Sequence, residues 1–287
     1  MTADEYCQDK AAKSGSSFYY SFRFLPAQQR QAIIALYAFC REVDDTVDEI
    51  SDPGVARTTL EWWREEIQRT FKGEATHPVG QALQTALQNF DLHEEYFMEI
   101  IDGMAMDLDQ FTYAEFNQLA LYCHRAASVV GLLSVEIFGY QDRNTLKYAE
   151  NLGMALQLTN IIRDVREDAE RGRIYLPLDE LKQFNVNTDD LLALKSSAEL
   201  VEFLKFQTER AKQYYAKAMA ILPEGDRYTQ RTGLIMAAIY EATLDEIVND
   251  DFQVMKHRVS LTPIRKLWIA WRTARNEKRL HQKRNTH

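Results

Sequence analysis

Two helix-length segments of this chain are apolar around most of their circumference, and each ends in aspartates four residues apart. The first pair is Asp44 and Asp48, within Arg41-Glu42-Val43-Asp44-Asp45-Thr46-Val47-Asp48. The second is Asp164 and Asp168, within Arg163-Asp164-Val165-Arg166-Glu167-Asp168. On an α-helix, residues i and i+4 are neighbours with Cβ atoms about 5–6 Å apart, and like charges there cost helix stability. A fold that buries the apolar lead-ins brings these carboxylates to the edge of its core, where they need partners. Hard divalent cations such as Mg²⁺ take oxygen ligands, commonly one or two carboxylates plus substrate phosphates. The duplicated pair therefore points to diphosphate chemistry. Water at a cavity mouth is the other partner available.

On the first segment Tyr37, Arg41, Asp44 and Asp48 form one polar stripe, amid Ile33, Ile34, Leu36, Phe39, Cys40, Val43 and Val47. On the second, Gln157, Asn160, Asp164 and Asp168 form another, amid Leu152, Met154, Ala155, Leu156, Leu158, Ile161 and Ile162. Amides deep in a cavity and carboxylates at its rim suit a ligand with a metal-bound polar head. Either pair alone is more often a solvated helix end. Two pairs with matching lead-ins shift the balance to a shared site.

Other segments admit two readings each. Tyr122 to Gly131 carries small residues that permit close helix packing or leave room for a ligand. Ser14-Gly15-Ser16-Ser17-Phe18 suits a helix cap, or donors to a phosphate. Arg171-Gly172-Arg173 follows the second pair in a loop that ends at Pro177; its arginines either reach phosphate oxygens or balance nearby acids. Asp102, Asp107 and Asp109 lack the four-residue spacing and read as ordinary surface. The one Glu-x-x-His, Glu74 to His77, lies in a Gly/Pro loop, and there is no phosphate-loop, zinc-protease or dinucleotide-binding signature.

The helical period dominates, with Gly (11) and Pro (6) scarce and placed between helical lengths: roughly 27–50, 56–72, 79–90, 93–110, 114–138, 143–170, 178–193, 198–221 and 227–255. This predicts an all-α fold, one domain over 1–287 with a basic tail from 259. The net charge of −9 hides an asymmetry, since ten Lys/Arg and one acid follow from Lys256 onward. The remaining acidic body excludes nucleic acid as a partner. No apolar run reaches the ~20 residues that cross a bilayer. The polar start is unlike a signal peptide, and three cysteines make no disulfide framework, so a cytoplasmic protein is expected. In the tail, Ile264, Leu267, Trp268 and Trp271 fall at i, i+3, i+4 and i+7 among basic residues. Such a helix suits peripheral contact with a membrane, or docking on the acidic body.

At these residues the chain resembles the squalene/phytoene synthase family of head-to-head prenyl transferases. The resemblance rests on Ser16-Ser17-Phe18, Tyr37 to Asp45, Tyr122-Cys123-His124 and Gln157 to Pro177, and spans about residues 5 to 258. It implies an isoprenoid-synthase helical bundle around a central cavity. It implies two or three Mg²⁺ held by Asp44, Asp48, Asp164 and Asp168, with Asn160 as a further ligand. Arg41, Asn160, Arg163 and Arg173 would lie near the diphosphates, with Ser16, Ser17 and Phe18 at the substrate. Tyr37, Tyr122, Gln157, Tyr175 and Tyr240 would line the cavity. Many members carry Lys where this chain has Ser16. Within the family, Ser14 to Tyr20 and Cys123 to Ser128 are most similar to the bacterial hopanoid-pathway branch. That implies joining two farnesyl diphosphates to presqualene diphosphate, a step for which NADPH is not expected. Squalene, dehydrosqualene and phytoene formation are the alternatives within the family; a membrane-peripheral isoprenoid-binding protein is the alternative outside enzymes. Phe18, Tyr37, Phe39 and Tyr122 are candidates for an aromatic wall facing a carbocation. Released diphosphate or Tyr122 is the candidate base.

Overall fold

A computed structural model describes residues 1–14 and 18–284. Its first elements are α1 (Ala3–Lys13), α2 (Phe18–Phe22), α3 (Ala27–Glu49), α4 (Pro53–Lys72), α5 (Pro78–Leu87) and α6 (Glu94–Asp109). A continuous helical run follows: α7 (Phe116–Cys123), a π-helical turn (His124–Ser128) and α8 (Val129–Phe138). Then come α9 (Asn144–Arg163), α10 (Val165–Glu170), α11 (Leu178–Gln183), α12 (Thr188–Leu192), α13 (Ala198–Ile221), α14 (Arg231–Asn249) and α15 (Pro263–Arg284). No strand occurs among the described residues, which bears out the all-α expectation.

Local chemistry sets the boundaries. Asp52 accepts from the backbone N–H groups of Gly54 and Val55, and Pro53 opens α4 where its missing N–H is no loss. Gly73, at φ 83°, closes α4 in the left-handed conformation that favours glycine. Helix α1, unmarked by hydrophobic period, is held by a capping box in which Thr2 and Glu5 satisfy each other's backbone donors.

The helices gather around two large hydrophobic cores, with a small third cluster at Leu132, Val135 and Ala149. One is built mainly from α1, α3, α4, α5, α6 and α8, with Leu36, Phe39, Ile67 and Ile101 fully buried. The other is built mainly from α7, α9, α13 and α14, with Tyr148, Phe203, Ile235 and Ile247 at its heart. Each acidic pair rides on the edge of a different core, Asp44 and Asp48 on α3 and Asp164 and Asp168 on α9–α10. Phe18 and Ala126 pack against both cores.

Some expected spans divide. The segment expected to run unbroken to residue 170 breaks at Asp164, where φ −101° and ψ 14° leave the helical range. Asp164 N–H still donates to Asn160 O (2.8 Å) and Asp168 N–H to Asp164 O (2.9 Å), so the bend keeps Asp168 one turn below Asp164. The run Phe116–Phe138 is long and apolar enough on average to cross a membrane, but half of its most apolar window is buried within the fold.

The small residues after Tyr122 serve both expected uses: Ala126, Ala127, Val130 and Gly131 line an apolar cavity, and Ala127 and Ser128 permit a close helix approach. A methyl built on Gly153 of α9 meets Ser128 Cα at 2.5 Å and Ala127 C at 2.9 Å, both backbone atoms. Gly225 has no atom within 4 Å of such a methyl. Gly153→Ala is expected to destabilise the protein by about 1–3 kcal/mol, as overpacking against unyielding backbone does. Gly225→Ala should leave denaturant midpoints near wild type; equal effects of the two substitutions would refute the close-approach account.

Candidate active site

Helix α3 presents its polar stripe to the gap between the cores because its other faces are committed. Ile33, Leu36, Val43 and Val47 are buried. Phe39, expected on the aromatic wall, instead packs edge-on against Trp63 (5.9 Å) and Phe97 (5.3 Å) in the first core. It lies two residues from Tyr37, about 200° around the helix, so the two rings face opposite ways.

Arg41 alone cannot satisfy the acids of α3, and other elements supply the remaining cations. Arg41 pairs with Asp44 at 2.6 Å and also with Asp45. Lys10 of α1 reaches Asp45 (2.9 Å) and Glu42 (3.1 Å). Asp48 is held from across the gap by Arg171 (2.9 Å) and Arg173 (2.8 Å). Arg173 also donates to Val47 O at 3.0 Å. These loop arginines therefore engage the first acidic pair, not the neighbouring acids of their own segment. On the second pair, Asp164 accepts from Arg163 (2.7 Å) and Arg258 (2.8 Å).

Asp44, Asp48, Asp164 and Asp168 line one open basin of about 490 Å³. Arg41, Tyr122, Gln157, Asn160, Arg163, Arg173 and Tyr175 line it as well. Tyr240, with Phe18 and Tyr37, lines an adjoining cavity of about 290 Å³ that shares Arg41, Asn160, Arg163 and Arg258 with the basin. Phe18 lies 5.9 Å from both the Tyr37 and Tyr240 rings. Ser16 and Ser17 lie outside the described residues. A third, apolar cavity of about 220 Å³ runs between the cores and shares Gln157 and Asn160 with the basin.

The basin holds six carboxylates against five arginines, and their environments differ. Burial raises Asp44 to about 6, with Arg41 opposing and Asp48 adding to the shift. Its side chain keeps 36% of its surface exposed, and it carries a smaller shift than Asp168. Burial, with Asp164 and Asp107 adding, pushes Asp168 to about 8. Burial also penalises Asp164, but Arg163 and Arg258 outweigh it and hold the carboxyl below its usual range.

Asp107, read from sequence as surface, is a correction. It is 4% exposed. It accepts from Tyr175 Oη (2.7 Å) and Tyr122 Oη (3.2 Å) on the basin wall. Burial raises it to about 7, with Tyr175, Arg173 and Tyr122 opposing. The signal was present: Phe97, Ile100, Met104 and Asp107 fall on one buried face of α6. Asp102 and Asp109 do lie toward solvent, each 2.5 Å from an arginine. Burial holds the Tyr122 phenol neutral, far above its usual range, and makes it a donor to Asp107.

The donor set fits a hard divalent cation. Every ligand-grade atom on the acidic rim is a carboxylate or amide oxygen, and Asn160 Oδ1 is buried with no hydrogen-bond partner among the described residues. Among the described residues no three acidic, histidine or cysteine groups converge on one ion-sized point. Asp44 is instead paired with Arg41, Asp48 with Arg171 and Arg173, and Asp164 with Arg163 and Arg258.

Comparison with known proteins decides the family. The squalene/phytoene synthase family model matches residues 11–265. The chain belongs to the squalene/phytoene synthase family. It is 37% identical to the presqualene diphosphate synthase of Zymomonas mobilis, over 94% of this chain and 93% of that one. It is 36% identical to a phytoene synthase of Arthrospira platensis, over 92% of this chain and 89% of that one. Among solved structures, a dehydrosqualene synthase superposes with TM-score 0.85 at 26% identity, covering 96% of each chain. A squalene synthase from Alicyclobacillus acidocaldarius superposes with TM-score 0.77 at 29% identity, covering 87% of this chain and 94% of that one. The chain is thus a prenyltransferase of head-to-head condensation, in a family that binds prenyl diphosphates with divalent metal.

The raised carboxyls set the sign of a pH dependence. Asp168 and Asp107 hold protons in the folded state at pH values where the unfolded chain has lost them, so between about pH 4 and 8 stability falls as pH rises. Without added divalent cation, the unfolding midpoint should drop from about pH 5.5 to 8, and Asp168→Asn should flatten that slope. An Asp168→Asn protein with the wild-type slope would contradict the assignment.

Proposed function

We propose that this member condenses two farnesyl diphosphates head to head, with Mg²⁺, to give presqualene diphosphate and diphosphate. The observation that carries this reading is the shared wall of Gln157 and Asn160. A diphosphate in the carboxylate basin has its prenyl chain directed into the apolar cavity. Asp44, Asp48, Asp164, Asp168 and Asn160 are the residues that would hold the ions. Bound Mg²⁺ supplies Lewis-acid stabilisation of the departing diphosphate. Arg41, Arg163, Arg171, Arg173 and Arg258 rest on carboxylates here, and they exchange those partners for phosphate oxygens when the substrates enter.

The apolar cavity keeps water from the allylic cation until the second double bond reaches it. Phe18 and Tyr37 lie where the apolar cavity meets the adjoining cavity, and their aromatic rings would stabilise positive charge there. Cyclopropane closure releases one proton. Tyr122 is held neutral with its hydroxyl on Asp107, so the released diphosphate is the better base. No reductant is consumed, so the step runs without NADPH.

The cavity's far end supports farnesyl over geranylgeranyl. Tyr148 lies twelve residues before Asn160 on α9, about 18 Å at 1.5 Å per residue. Phe22, Phe138 and Tyr148 line that cavity, and Tyr148 Oη, Gln230 Oε1 and Thr232 Oγ1 are buried on its wall without partners among the described residues. The Phe22, Phe138 and Tyr148 rings narrow that end of the cavity, and a longer prenyl chain has to displace them.

Asp44→Asn and Asp164→Asn should each lower turnover about a hundredfold or more with helical content unchanged, as loss of a main electrostatic contact does. Near-wild-type rates in both would end the two-pair assignment. Purified protein given farnesyl diphosphate and Mg²⁺, without NADPH, should accumulate presqualene diphosphate by mass analysis. Turnover of geranylgeranyl diphosphate alone, to phytoene, would reject the substrate reading while leaving the family chemistry standing.

A further inference from the structure

Helix α15 has two faces of opposite character. Its inner face is docked: Ile269 and Ala270 are buried, and buried Glu277 accepts from Arg227 at 2.9 Å. Arg265 pairs with Glu246 at 2.6 Å. The outer face exposes Ile264 (81%), Leu267 (40%), Trp268 (53%) and Trp271 (50%). At 100° per residue these occupy one arc, and Arg272, Arg275, Lys278 and Arg279 continue that arc toward the C-terminus. None of these four basic residues has a carboxylate partner among the described residues, while Arg272 and Arg275 lie over Trp268 (5.1 Å) and Trp271 (5.2 Å).

We propose that this outer face is a docking surface for an anionic lipid bilayer. Two exposed tryptophans beside two aliphatic side chains match the boundary between headgroups and hydrocarbon. The row of cations beside them, with no acid on the same arc, matches anionic headgroups. A second copy of the chain is a poor occupant. Symmetric pairing through this face opposes one cationic row to another, and of the other exposed large apolar residues (Met1, Val55, Trp62, Phe111, Leu121, Leu192, Phe206) only Val55 and Trp62 share an element, α4. The acidic body would match the charge, but apart from Val55 and Trp62 on α4 its exposed large apolar side chains, among the described residues, stand singly on different elements. Placement gives the surface a use. Lys266, toward the docked side of the same helix, lines the cavity that shares Arg163 and Arg258 with the carboxylate basin. Docking thus holds that end of the molecule at a bilayer, the solvent for a prenyl product.

The test uses the full chain and vesicles of equimolar phosphatidylglycerol and phosphatidylcholine, against phosphatidylcholine alone. Wild type should co-sediment with the anionic vesicles and not the neutral ones, with binding reduced by high salt. Arg272→Gln/Arg275→Gln/Arg279→Gln and Trp268→Ala/Trp271→Ala should each weaken binding about tenfold or more. All five residues are exposed, so unfolding midpoints should stay at wild type. Wild type that ignores anionic vesicles, or variants that bind as wild type does, overturns the proposal. So does a wild-type dimer that the tryptophan variant converts to monomer without any vesicle binding. The readout is binding, so it stands or falls separately from the substrate reading.

Discussion

The structure depends on how carboxylates are balanced beside hydrocarbon. An unpaired ion at the edge of a dry core is costly, and breaking one member of such a pair is strongly destabilising. Here the balancing cations come from remote segments: Lys10 from α1, Arg171 and Arg173 from the loop after α10, and Arg258 from beyond α14. The Arg173 contacts with Asp48 and Val47 O tie the second core's acidic segment to the first core's acidic helix. The two cores are thereby joined across the site by the same charges that a diphosphate and its cations replace.

That arrangement explains the spread of proton affinities around one basin. Asp164, with two arginines, stays easily ionised. Asp168, with like charges near and no close ion pair among the described residues, does not. A basin tuned this way is short of positive charge, and the buried unpartnered Asn160 Oδ1 adds an oxygen donor. Asp107 belongs to the same economy of charge: it gains tyrosine donors instead of a cation, and in return fixes the Tyr122 and Tyr175 rings on the basin wall.

What could be read from sequence was whatever is periodic and local. The stripe Tyr37, Arg41, Asp44, Asp48 follows from 3.6 residues per turn, and helix ends at Asp52-Pro53 and Gly73 follow from capping chemistry. Non-local facts were out of reach. No local rule says that Arg171 and Arg173 cross to Asp48, or that Arg258 closes on Asp164 94 residues away. The bend at Asp164 was hidden because the apolar pattern continues through Val165. Asp107 has no carboxylate partner at four residues, and only the buried face it shares with Phe97, Ile100 and Met104 on α6 marks it. Phe39 was misplaced because an all-apolar helix does not announce which neighbour each face meets. Helix α1 lacks an apolar period, and its one local signal is the Thr2-to-Glu5 cap.

The most direct test of the shared grip is a binding cycle with a non-ionising farnesyl diphosphate analogue, titrated with and without Mg²⁺. Wild type should bind it tightly only with Mg²⁺, and Asp48→Asn and Asp168→Asn should each weaken it. If both helices hold one cation-bridged ligand, the double variant should lose far less than the sum of the two single losses. Strictly additive losses, or affinity indifferent to Mg²⁺ in the wild type, would contradict it.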